Sequence, residues 1–297
     1  MSNPRHPANT ADTVRALLAE QHPDLLELGV GKEHEGADMV MYRVGEELAV
    51  RLPRSENTVE SLEAEARWLG LLSADWTFPF PRVLRRGVPG CGFPFPWSVV
   101  TWLPGSNAAE VPLHADAGIE IARALAQMHA VAPPDAPFNE QQSGPMASRE
   151  HRVSWALETL AARPGPEGRM CDVDAARGLW EQALAAPEPL ERVWSHADLH
   201  ALNVISLDGE FGGIVDWADM SGCDRAVDLG FLYTLVTADA VDQAVAEYGR
   251  LTGAVDDALV SRVRGVGLAM SLGLSLFDQA AARDMGWLGL KSLGVVR

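Results

Sequence analysis

Lysine is almost missing from this chain of 297 residues: only Lys32 and Lys291 occur. Acidic side chains number 41 against 24 lysines and arginines, a formal net charge of −17. A field of that sign repels phosphate backbones, so a nucleic-acid partner is not expected. It attracts cationic small molecules, although a solvated surface accounts for most such charges. Cysteine is scarce as well: Cys91, Cys171 and Cys223 are odd in number and far apart. Neither a disulfide framework nor a CxxC metal site is suggested, and a reducing cytoplasm fits. Long apolar runs are lacking too. The stretch MSNPRHPANTADTVRALLAEQ does not read as a secretory signal. At 13 residues GVGLAMSLGLSLF (265–277) is too short to span a bilayer and reads as a buried helix. No membrane partner is therefore expected, and monomer and dimer stay equally open.

What is present is a composition of ordinary globular kind, 47% hydrophobic, with enough length for a substantial core. No repeat of solenoid or propeller period stands out. A first helix is predicted over about 10–21, with Val14, Leu17 and Leu18 on one side. MVMYRVG and ELAVRLP read as strands joined at Gly45-Glu46. Residues 58–72 read as a helix with Leu62, Ala66, Leu69 and Leu72 on one face. A Pro- and aromatic-rich stretch follows, and PWSVVTWLPG then reads as a strand stopped by Pro104-Gly105. That pair marks the expected boundary between a β-rich lobe (1–103) and a mainly helical lobe (104–297). In the second lobe, DAGIEIARALAQMHAV reads as a helix, 132–149 as a loop, and 150–162 and 173–186 as helices. VWSHADL, NVISLDG and EFGGIVDW read as short strands and turns, with a hairpin at Asp208-Gly209. From Ala226 onward the pattern is helical.

The polar residues that demand an explanation sit in WSHADLHALNVI (194–205). On a strand, His196, Asp198 and His200 would share one face and suggest a metal cluster. A zinc hydrolase would want further ligands at suitable spacing, and none pairs with this triplet. Asp198 precedes Asn203 by five positions, and Asn203 precedes Asp216 by thirteen. The first interval is that of a kinase catalytic loop, H-R-D-x-x-x-x-N. In that chemistry one carboxylate takes the proton of an attacking hydroxyl, while an amide oxygen and a second carboxylate hold Mg²⁺ on nucleotide phosphates. Elsewhere, GVGKE (29–33) lacks phosphate-loop spacing and reads as a turn. Trp97 and Trp102 flank the connector, as purine-cleft or as core residues.

HADLHALNVI followed by GGIVDWADMSGCDRAVDL resembles the signature of the aminoglycoside phosphotransferase family, which includes macrolide kinases and is related to choline kinases. AVRLPR, EARWLGLL, FPWSVVTWLPG and LAQMH resemble family segments in the same order, over about 28–250. The resemblance implies an α+β, bilobal, protein-kinase-like fold with a small β-rich N-lobe that binds nucleotide and a larger mainly helical C-lobe. It implies transfer of the γ-phosphate of ATP or GTP, with Mg²⁺, to a hydroxyl of a small-molecule acceptor, as in antibiotic-resistance kinases. A metabolite kinase of the choline, homoserine or thiosugar type is the alternative, as is a nucleotide-binding protein without transfer activity. By the same resemblance Asp198 is the catalytic base, and Asn203 and Asp216 are the metal ligands. His196, Asp224 and Asp228 support the loop, and Thr101 and Leu103 offer backbone groups to the purine. His200 occupies a second loop-histidine position. EGADM (35–39) falls where a loop would cover the nucleotide.

The chain departs from the family pattern in three places. Ala197 stands where a glycine is usual, a mild change if no positive φ is needed. Arg225 replaces a proline. Arg51 stands where a phosphate-gripping lysine is usual, a role its bidentate guanidinium suits. Its expected partner is Glu65, with Glu63 second. Acidic residues of the helical lobe (Asp239, Asp242, Glu247, Asp256, Asp257, Asp278, Asp284) are candidates for a cationic acceptor, solvated helix faces being the default reading of each.

Overall fold

The computed structural model describes residues 6–36 and 38–297, and only the backbone of Asn57 and Ser61. The chain divides into two compact units, Met1–Ala74 with Pro79–Pro104, and Asp75–Phe78 with Gly105–Arg297.

In the first unit, helices α1 (Ala11–Gln21) and α2 (Pro23–Leu26) precede strands β1 (Val30–Glu35), β2 (Met39–Val44) and β3 (Leu48–Pro53). Helix α3 (Glu56–Leu72), β4 (Val83–Gly87) and β5 (Trp97–Thr101) follow. The strands form one antiparallel sheet in the order β1-β2-β3-β5-β4. Its alternation is legible in the interior strands. Val40, Tyr42, Val44, Val50, Leu52, Trp97 and Val99 form one cluster with Val14, Leu17 and Leu18 of α1. Arg51, between Val50 and Leu52, is therefore turned to the other face, and α3 packs against β3.

The two edge strands and the short helix α2 are the elements of this unit that the sequence reading does not contain. GVGKE is a strand rather than a turn: the chain reverses at Gly29 (φ +80°) and pairs with β2 from Val30. Both β1 and β4 are largely exposed, so neither shows a period-two apolar pattern. Helix α3 begins at Glu56, with Ser55 at its N-cap, rather than at Thr58. Trp97 is a core residue that donates its indole N–H to the Val88 carbonyl at 3.1 Å. Trp102 packs on His34 and carries the Arg43 guanidinium over its ring at 4.6 Å.

The second unit contains β6 (Ser106–Asn107) and helices α4 (Ala117–Met128), α5 (Glu150–Ala161) and α6 (Val173–Ala185). After them come β7 (Val193–Ser195), β8 (Val204–Leu207), β9 (Glu210–Ile214) and β10 (Ser221–Cys223). Helices α7 (Ala226–Phe231), α8 (Ala238–Thr252), α9 (Asp257–Ser275) and α10 (Ala280–Ser292) complete it. Most of the apolar run 265–277 lies in α9, which is buried against α5, α6, α7 and α10. Among the described residues no helix is long and apolar enough to cross a membrane. Strands β8 and β9 form a hairpin whose turn, Asp208-Gly209, has positive φ at both positions (52° and 100°). That is the turn an Asp-Gly pair favours between twisted strands. Strand β8 also pairs with β6, and β7 with β10.

Candidate active site

Strand β7 stops at Ser195 and β8 starts at Val204, so residues 196–203 form a loop between strands, not a strand. The triplet His196, Asp198, His200 accordingly does not converge as a metal cluster. The imidazole of His196 binds two backbone groups at its two nitrogens. Its Nε2 lies 2.9 Å from the Val215 carbonyl, which can only accept, and its Nδ1 accepts the Asp198 N–H at 3.3 Å. These partners select the Nε2–H tautomer and tie the loop to the segment after β9. The ring also meets Trp217 edge-on, and Trp217 packs against Trp76 and Phe78.

Asn203 closes the loop on Asp198. Its side-chain N–H groups donate to the Asp198 carbonyl (2.9 Å) and carboxylate (3.2 Å). Its backbone carbonyl accepts from Val215 at 2.9 Å. With the amide nitrogen committed, the amide oxygen is the acceptor end of this side chain. Asp216 follows Val215 with a left-handed backbone, φ +62°, which Asp tolerates better than most residues. The Nε2 of His200 lies 3.3 Å from the Asp198 carboxylate. Burial acts to raise the Asp198 carboxyl. The hydrogen bond and charge of His200, with the Asn203 amide, outweigh it, and the net shift is downward. Burial likewise acts to lower His200, but Asp198 prevails and raises it.

Asp228, at 0% exposure, supports the loop from below. Its two carboxylate oxygens accept the backbone N–H groups of His196 (2.8 Å) and Ala197 (2.9 Å). Behind it stands His129, 3.1 Å from Asp228 through Nε2 and 2.8 Å from the Tyr248 hydroxyl through Nδ1. Ala197 has φ +66°, so the position does require the left-handed backbone, and the glycine-to-alanine departure is not mild in the sense expected. Among the described residues the Asp224 side chain makes no hydrogen bond to the loop. It accepts from the Ala226 N–H (3.0 Å) and from Arg262 (2.6 Å), joining the start of α7 to α9.

In the first unit, Arg51 and Glu65 form a bidentate pair, Nη1–Oε1 2.6 Å and Nη2–Oε2 3.0 Å, both side chains buried. Arg51 is thus not an exposed strand residue, and Glu63, the second choice as partner, is exposed. The Thr101 N–H donates to the Arg82 carbonyl at 3.0 Å, whereas Leu103 makes no backbone hydrogen bond among the described residues.

Beside Asp198 opens a cleft of about 470 Å³, lined by Asn139, Glu140, Gln141, Gln142, Ala197, Asp198 and Asp219. None of the seven acidic residues of the helical lobe considered for a cationic acceptor lies in this lining. Glu247 is engaged by Arg123 and Arg250, and Asp256 caps α9. The sequence reading missed the lining because 139–142 has no periodicity and falls in a stretch assigned as loop. His129 and Tyr248 were missed as well. His129 closes the quoted segment LAQMH, but nothing in the sequence links it to Tyr248.

A model of the phosphotransferase enzyme family matches residues 33–265. Similar solved structures include the apoenzyme of a macrolide 2′-phosphotransferase from Brachybacterium faecium. It is 20% identical, with a TM-score of 0.60, and 94% of this chain and 97% of that one are covered. The GDP complex of an aminoglycoside 2′-phosphotransferase-IIIa is 15% identical, with a TM-score of 0.63 and coverage of 96% and 99%. The GDP and kanamycin complex of APH(2″)-IIia is 18% identical, with a TM-score of 0.60 and coverage of 95% and 97%. No curated protein matches in sequence. These likenesses carry the fold, a β-sheet N-terminal region followed by a helical C-terminal part as in kinase-like phosphotransferases. Since the family match spans well over half of its residues, the chain belongs to the phosphotransferase enzyme family.

Proposed function

We propose that this phosphotransferase moves the γ-phosphate of ATP or GTP to a hydroxyl of a small, polar, amine-bearing acceptor. The observation that carries the reading is the Asp198 carboxylate, held by Asn203 and His200 at the edge of the polar cleft. Asp198 orients the acceptor hydroxyl and takes its proton as the phosphate is transferred; its lowered carboxyl is ionised and so can accept the hydroxyl's hydrogen bond. Asn203 and Asp216 are the metal ligands of this reading. The amide oxygen left by the Asn203–Asp198 bond and the Asp216 carboxylate are the hard donors that suit Mg²⁺. When bound, Mg²⁺ neutralises charge on the donor's phosphates. Arg51, aligned by Glu65, is the phosphate-gripping cation, and Leu103 offers the unclaimed backbone groups to the purine. His196 and Asp228 hold the loop.

The cleft favours the acceptor class. Its lining consists of amides and carboxylates with one alanine, which suits hydroxyl and ammonium groups better than an apolar macrocycle. Kanamycin, bound together with GDP in one similar structure, has that chemistry. The test is radiolabelled transfer from ATP and from GTP to aminoglycosides, macrolides and small metabolite alcohols. Asp198→Ala is expected to lower turnover by about 10²–10⁴-fold while nucleotide binding persists. Full transfer in that variant would exclude the assignment. Tight nucleotide binding by the wild type, with no acceptor modified, would favour a non-catalytic binding role.

A further inference from the structure

Arg149 closes a short 3₁₀ turn, Met146–Arg149, ahead of α5 and is 2% exposed. Among the described residues it has no carboxylate at ion-pair distance. Its hydrogen bonds all go to one loop. Nη2 donates to the Gln142 carbonyl (2.9 Å) and to Gln142 Oε1 (3.3 Å), and Nη1 donates to the Gly144 carbonyl (3.3 Å). Its Nε has no partner. A guanidinium keeps its charge at any working pH, and neutral carbonyls offset the loss of water less well than a carboxylate does. An apolar filler would be less costly here. Such an expense is informative about what the side chain holds.

What it holds is the wall of the cleft beside Asp198, residues 139–142. From within, Asn139 Oδ1 accepts the N–H groups of Gln141 (2.9 Å) and Gln142 (3.1 Å), and Ser143 Oγ accepts that of Asn139 (2.9 Å). At the front, Asn139 Nδ2 donates to Asp219 at 2.9 Å. Arg149 is the clamp at the back.

We propose that Arg149 is a positioning residue that sets loop 139–144 beside Asp198 and thereby governs acceptor binding without touching the acceptor. The consequence for acceptor binding rests on the phosphotransferase reading above; the clamp itself does not.

The test uses the full chain and its Arg149→Met and Arg149→Lys variants, with kanamycin as acceptor and Mg²⁺ with ATP or GTP as donor. Arg149→Met is expected to raise the kanamycin KM by about tenfold or more while kcat and the nucleotide KM change by less than about threefold. Arg149→Lys, which can keep part of the hydrogen bonding to the Gln142 and Gly144 carbonyls, is expected to fall between. Amide hydrogen exchange should rise in 139–144 and stay unchanged in α9. An unchanged kanamycin KM, or a loss confined to kcat, overturns the proposal. Should the wild type not phosphorylate kanamycin, the acceptor reading fails separately. Exchange in 139–144 then decides: unaltered protection in both variants refutes the clamp.

Discussion

Ala197 holds a left-handed backbone between the two residues that frame the loop, His196 and Asp198. A Cβ in that conformation costs about 1–2 kcal/mol. Glycine would relieve this, but it brings about 0.5–1 kcal/mol of additional chain entropy to lose. It would also discard a buried methyl worth about 0.8 kcal/mol. The terms nearly cancel, so Ala197→Gly should leave stability within about 0.5 kcal/mol of wild type in urea denaturation. This balance is why alanine can stand where the family uses glycine. A β-branched side chain has no such balance, and Ala197→Val is expected to cost about 2 kcal/mol or more. An unchanged urea midpoint for Ala197→Val would contradict the strain argument.

Helices α9 and α10 approach closely because glycines line their contact. A Cβ added at Gly286 would lie 2.2 Å from the Ser275 nitrogen and 2.6 Å from the Ser271 carbonyl, both backbone atoms that cannot step aside. Helix propensity favours alanine over glycine by about 1 kcal/mol, but overpacking costs about 1–3 kcal/mol and more against backbone. Gly286→Ala should therefore destabilise despite its better propensity. Gly178→Ala in α6, where a Cβ meets nothing within 4 Å, should stabilise by about 0.5–1 kcal/mol. Equal shifts of the urea midpoint in the two variants would refute the packing account. Helices α4 and α8 are joined differently, by Glu247 between Arg250 (2.7 Å) and Arg123 (2.8 Å). The hydrogen bonds from Arg250 and then Arg123 draw the Glu247 carboxyl down from 4.5 to about 2. A lowered carboxyl contributes stability that is complete above its unfolded value and is lost as pH falls through the folded one. The Tm difference between wild type and Glu247→Gln should be constant above pH 4.5 and shrink toward about 2. A difference that grows on acidification would reverse the sign and the explanation.

The net charge of −17 acts on the protein as a whole. It makes no one contact, but it draws cations toward the surface on which Glu140, Asp198 and Asp219 line the cleft. Attraction of this kind is long-ranged and is screened as the Debye length shortens from about 30 Å at about 0.01 M salt to about 8 Å at about 0.15 M. For a cationic acceptor, kcat/KM should then fall by at least about threefold across that range, against little change for a neutral alcohol. Parallel salt profiles for the two acceptors would assign the acidic surface to solvation alone.

The sequence by itself determined whatever is written in local order. Interior strands, amphipathic helices, the Asp208-Gly209 turn and the spacing Asp198–Asn203–Asp216 are all short-range patterns, since backbone geometry converts residue intervals directly into faces and turns. It also carried the pairing of Arg51 with Glu65, through resemblance to a family in which both segments occur in order. Only the tertiary structure decided the rest. The edge strands β1 and β4 exist through pairing rather than through burial, so no alternation announces them. The left-handed backbone of Ala197 is held by Asp228, whose carboxylate gathers two consecutive N–H groups from 32 and 31 residues away. The cleft beside Asp198 is lined by a loop without periodicity, held by a buried arginine whose partners are carbonyls. Contacts between segments distant in sequence leave no interval to read, because nothing but folding brings them within hydrogen-bond reach.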